Sequence, residues 1–131
     1  MTRTDAVRLN DVLDSIILIE GYTAGMTVQQ FESDWLRQDA VVRRVEVIGE
    51  AVKQLSPSLR DAYPDVPWRT IAGARDVLIH EYFRVDPGLV WVMATTDLPV
   101  LRAAVERALR DASGNSDTGD QRTDAREIDE P

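Results

Sequence analysis

The sequence predicts an all-α fold, an antiparallel bundle of about five to six helices. Three observations carry this. Apolar residues recur every three or four positions, most clearly at Val41, Val45, Ile48, Val52 and Leu55. Helix-start signals stand where those patterns begin, as in Thr27 followed by Gln30 and in the pair Asp86-Pro87. No stretch alternates apolar and polar residues over the length of a convincing strand. With 131 residues and no internal repeat, the chain has room for one modest core.

Thr4 is expected to cap a first helix running to about Gly21, with Leu9, Val12, Leu13, Ile16, Ile17 and Ile19 as its apolar face. Gly21 and Gly25 then bracket a loop. The Thr27–Gln30 capping pattern opens a short helix carrying Phe31, with Trp35 near its end. A long helix follows over about 35–55, and Gly49 on its flank reads equally as a close-approach position or a tolerated glycine. Ser56-Pro57 ends it, and Pro64, Asp65 and Pro67 mark a turn before a helix over about 68–83. Asp86 caps a further helix with Pro87 in its first position. Pro99 has no N–H, so either Asp97 caps a new segment carrying Leu98, Leu101, Val105 and Leu109, or one helix kinks sharply.

Composition excludes several classes. The absence of cysteine removes disulfides and thiolate metal sites. No apolar run approaches the ~20 residues of a bilayer span and the polar N-terminus has no secretory core, so a cytoplasmic chain is expected. The net charge of -8 opposes indiscriminate nucleic-acid binding. Residues 112–131 hold six acids and two arginines, so half of that charge sits in the tail. From Ala112 onward apolar residues almost vanish, and the domain is expected to span 1–111 with a disordered acidic tail over 112–131. A polyanion would need a local basic cleft, for which Arg37, Arg43, Arg44, Lys53, Arg69, Arg75 and Arg84 are available.

The helix over 68–83 holds the single histidine, His80, five residues after Arg75 and two before Tyr82, in the pattern R-x4-H-x-Y. At about 100° per residue, Ile71, Arg75, Leu78 and Tyr82 share one stripe, and Gly73, Asp76 and His80 the opposite one. An arginine within an apolar stripe is costly unless paired, and the plain structural reading pairs Arg75 with a carboxylate of a neighbouring helix. The functional reading uses His80 as a proton carrier near neutral pH and Arg75 as a bidentate clamp for phosphate oxygens. Asp76, one turn before His80, could orient the ring or be a solvated surface group. With one histidine and no cysteine, no metal site or other cofactor is expected. No phosphate-cradling glycine motif is present, and core packing is the expected use of Trp35, Trp68 and Trp91.

The runs RRVEVIGEAVKQLS (43–56), YPDVPWRTIAGARDVLIHEYFRVD (63–86) and VWVMATTDLPVL (90–101) closely resemble the HepT family, toxin-side members of the HEPN superfamily. The resemblance covers roughly residues 5–110 and leaves only the tail outside. It implies a metal-independent endoribonuclease with Arg75 and His80 as catalytic residues and products ending in 2′,3′-cyclic phosphates. It also implies a homodimer whose two motifs meet in one composite cleft. That would resolve a difficulty, because Arg75 and His80 stand about 140° apart on an ideal helix. The implied partner is a nucleotidyltransferase antitoxin of the MNT type that attaches AMP to Tyr82. The residues alone also fit a non-catalytic module that binds a nucleotide or pairs with a transferase.

Overall fold

The computed structural model describes residues 1–80 and 86–129, with side chains except at positions 75, 79, 80 and 115–129. Thr2 opens the first helix, α1 (Arg3–Thr23): its hydroxyl accepts the Asp5 N–H while the Asp5 carboxylate accepts the Thr2 N–H. The cap therefore falls two residues before Thr4, and Gly21 lies inside the helix. Leu9, Val12, Ile16 and Ile19 are fully buried, whereas Ile17 sits on the exposed side. Gly25, at φ 72°, makes the turn that follows, a left-handed conformation costly for a side chain with a Cβ.

The capping box of Thr27 and Gln30 opens α2 (Val28–Glu32) as the spacing predicts, and Phe31 is fully buried. Asp34 caps α3 (Trp35–Lys53), whose first turn also serves its neighbours. Arg37 donates to the Tyr22 carbonyl near the end of α1, and Gln38 to the Phe31 and Glu32 carbonyls at the end of α2. Val41, Val45, Ile48, Val52 and Leu55 are all buried, so the seam seen in the sequence is real. Ser56 then caps a short helix absent from the sequence reading, α4 (Pro57–Ala62).

The motif helix, α5, spans Trp68–His80, and the expected continuation to residue 83 lies outside the described residues. Asp86 caps α6 (Pro87–Val92) by accepting the Gly88 N–H at 3.0 Å. At Pro99 no new segment begins with a cap at Asp97, and the helix runs on as one. A π-turn over Met93–Asp97 joins α6 to α7 (Leu98–Asp129), with the Leu98 N–H bonded to the Met93 carbonyl five residues back. Widening the turn there suits a proline whose ring would clash with the carbonyl four residues before it.

Among the described residues there is no strand. α3 is the centre: it packs most extensively on α1 and next on α5, while α7 lies along α1 and α2 touches α6. Arg102 of α7 bonds both oxygens of Glu20 on α1, at 2.5 and 2.7 Å. The helical backbone of α7 continues past residue 111, where the sequence places the domain boundary, although the last buried residue among those described is Ala108. The rod over Pro87–Gly114 is, by length and composition, apolar enough to cross a membrane, contrary to the sequence expectation. Its stripe of Val90, Ala94, Leu98, Leu101, Val105 and Ala108 is instead buried in the bundle core.

Candidate functional site

The site is built on α5, whose start is fixed by local bonds. The Ile71 N–H reaches the Pro67 carbonyl at 3.0 Å, and the buried Trp68 donates its indole N–H to the Tyr63 carbonyl at 3.0 Å. Leu78 is buried, and Ile71 and Ala74 pack beside it against the core, so this stripe faces α3. Burying one such leucine contributes roughly 1.5–3 kcal/mol, enough to fix the rotation of a short helix about its axis.

That rotation sets where the motif positions fall. The Arg75 position lies about 60° round from Leu78, at the edge of the packed face, and the His80 position about 160° round, on the outer face. The described helix is unbroken from 68 to 80, so the two positions stay about 140° apart. The side chains of Arg75 and His80 lie outside the described residues, as does all of Tyr82 with Glu81 and Arg84. Asp76 is exposed and makes no hydrogen bond or ion pair among the described residues. Gly73 is half-buried, and a Cβ built on it would meet nothing within 4 Å.

The cations available for a basic cleft divide clearly. Arg37 pairs with Asp34 at 3.2 Å, Arg43 with Glu46 at 3.3 Å and Lys53 with Glu50 at 3.5 Å, each within one turn of α3. Arg44 and Arg69 enter no ion pair among the described residues; Arg44 is half-buried on α3, and Arg69 is exposed on the first turn of α5. Of the tryptophans, Trp68 is buried and Trp91 packs on Phe31 with centroids 5.4 Å apart. Trp35 departs from its expected core role: it is 76% exposed, beside Leu36 at 81%.

Sequence reasoning missed a groove of about 710 Å³ between α5 and the π-turn with the start of α7. Val45 and Ile48 line it together with Ile71, Ala74, Met93 and Leu101. At one end Arg107 pairs with Asp65 at 3.3 Å and lies over the Tyr63 ring. The Tyr63 hydroxyl donates to Asp111 at 2.5 Å, which together with burial pushes its pKa up. Pro99 was the available signal, since a proline inside a helical pattern forces the irregularity that borders the groove.

An all-helical bundle carrying arginine and histidine positions five apart on a helix packed against its central helix is the architecture of a HEPN-type domain. The chain belongs to the HepT-like family of that class: the family model described as "Ribonuclease HepT-like" matches residues 12–108. A Methanocaldococcus jannaschii protein named "Gamma-glutamylcyclotransferase and putative RNase MJ0434" is 40% identical over 115 residues, 88% of this chain. The chain spans only 52% of that protein's length. A second protein of that organism, named "Putative RNase MJ1216", is 38% identical over 83% of this chain and 90% of its own. The protein named "Probable ribonuclease HepT" of Thermococcus cleftensis is 37% identical over 82% of this chain and 97% of its own. No solved structure matches the chain.

Proposed function

We propose that this protein is a metal-independent endoribonuclease acting as the toxin of a HEPN/MNT pair. The observation that carries the reading is the R-x4-H-x-Y motif on α5 of a chain belonging to the HepT-like family. His80 moves the proton of the attacking ribose 2′-hydroxyl, and Arg75 stabilises the charge that gathers on the phosphate oxygens. No water need attack in that step: the 2′-oxygen bonds to phosphorus, the 5′-oxygen leaves with a proton, and a 2′,3′-cyclic phosphate remains. Asp76 supports His80 from one turn away.

The angular separation of Arg75 and His80 on an unbroken helix supports a cleft completed by a second copy. Gly73, with open space where a Cβ would be, supports close approach on the same outer face. Arg75→Ala and His80→Ala should each reduce cleavage of RNA at least a hundredfold while circular dichroism keeps the wild-type helix signal. Cleavage should persist in EDTA. Cleavage that needs a divalent cation would move the chemistry to carboxylates such as Asp76 and Glu81.

Neutralisation is assigned to an MNT-type nucleotidyltransferase that attaches AMP to Tyr82, adding negative charge and bulk near the anion-binding arginine. Tyr82→Phe should cleave RNA yet escape neutralisation, and intact mass after co-expression should show AMP on wild type alone. Label on Tyr22 or Tyr63 would contradict this assignment. Tyr63 has a competing commitment, because its hydroxyl is already bonded to Asp111.

A further inference from the structure

The chain carries a net charge of -8, so whatever draws a polyanion to it must be local. Pairing removes six of the eleven cations whose side chains are described, leaving Arg3, Arg44, Arg60, Arg69 and Arg110 without an ion pair among the described residues. Besides Arg37, Arg43 and Lys53, the structure commits Arg8 to Asp11, Arg102 to Glu20 and Glu106, and Arg107 to Asp65. Arg69 is exposed, enters no ion pair among the described residues, and stands on the motif helix itself.

Its position on that helix is specific. Taking Arg69 as origin, Gly73, Asp76 and His80 fall at about 40°, −20° and 20°, so all four share one outward stripe. Arg69 and His80 are eleven residues apart, or about 16 Å along the axis. That is too far for both to serve one phosphate. Between them Gly73 presents no side chain and the exposed Asp76 carboxylate stands on the same stripe, so a strand held there is gripped at the Arg69 and His80 ends and not along the middle.

From this we propose that Arg69 is a second phosphate contact, holding the backbone of an RNA strand a few nucleotides from the bond cut beside His80. The proposal rests on the ribonuclease reading above. Arg69 is a binding residue with no part in proton transfer. It fixes the direction of the strand along α5, and its contribution is electrostatic and therefore sensitive to salt.

The test is a fluorescence-anisotropy titration of the full chain with a labelled 2′-O-methyl oligoribonucleotide, whose blocked 2′-oxygen cannot attack, repeated across a salt series. Arg69→Ala should weaken binding severalfold and make the slope of log affinity against log salt shallower by about 0.7. Arg69→Lys should keep the wild-type slope, because the charge stays. With a cleavable strand of the same sequence, Arg69→Ala should raise KM far more than it lowers kcat. An unchanged slope and affinity overturns the proposal, as does a loss of helix signal in Arg69→Ala, which would make the residue structural. A wild type that binds the blocked strand but cleaves nothing overturns the ribonuclease reading, and the slope comparison still decides Arg69. A wild type that binds no strand overturns both.

Discussion

A carboxylate taken out of water costs several kcal/mol unless its oxygens are matched by donors. Asp5 is 1% exposed and is matched: it accepts the Thr2 N–H at 3.1 Å, the Ser56 N–H at 2.8 Å and the Ser56 hydroxyl at 2.6 Å. Burial pushes its pKa up, but the bonds from Ser56 and Thr2 outweigh it and leave the group below the usual carboxylate range. One side chain thus joins the start of α1 to the cap of α4, 51 residues away. Asp5→Ala would strand both Ser56 donors, and urea denaturation at neutral pH should show a loss of about 1–3 kcal/mol. Because the folded pKa lies below the unfolded value of about 3.9, this stabilisation is complete above that value. It fades as pH falls through the folded pKa, so the gap between variant and wild type should narrow on acidification. A gap that stays constant into acid would deny the ionised carboxylate its role. The sequence reading places the cap at Thr4 and misses the Thr2–Asp5 pair, and nothing in local spacing marks Ser56 as a partner so distant.

At the scale of elements, what was legible was whatever depends on neighbours a few residues away. The α3 seam, the caps at Thr27 and Asp86, and the start of α5 at Trp68 follow from side-chain period and capping chemistry. α4 was hidden because six residues cannot establish a period, although Ser56-Pro57 is an ordinary helix start. Pro99 announced an irregularity without choosing its form. The choice was made by packing: Leu98, Leu101 and Val105 must reach the core from the same rod as Val90 and Ala94. A π-turn inserts the extra residue needed to reset the helix phase while keeping the rod continuous. The exposure of Trp35 was illegible for the opposite reason, since a large aromatic gives no local sign of which way its end of the helix is turned.

At the scale of the whole molecule, the motif residues were legible in the sequence and the orientation of their positions against the bundle was not. R-x4-H-x-Y names an arginine, a histidine and a tyrosine, but only the rotation of α5 against α3 turns the Arg75 position toward the packed edge and the His80 position outward. One chain then presents two parts of the proposed site on different faces, and a two-fold assembly can bring one part from each copy together. The groove between α5 and α7 was invisible in the sequence because its walls come from helices far apart in the chain, α5 packed on α3 and α7 on α1. The central claim, a ribonuclease site shared between two copies, is tested most directly by mixing two inactive variants. Arg75→Ala and His80→Ala chains, unfolded together and refolded in equal amounts, form mixed dimers in which one cleft receives an intact arginine from one chain and an intact histidine from the other. The account predicts that the mixture recovers roughly a quarter of wild-type cleavage, because half the dimers are mixed and each of those keeps one of the two arginine–histidine pairs that a wild-type cleft holds. If each parent is inactive, the wild type refolded alongside is active, and the mixture cleaves no RNA, the shared site is contradicted.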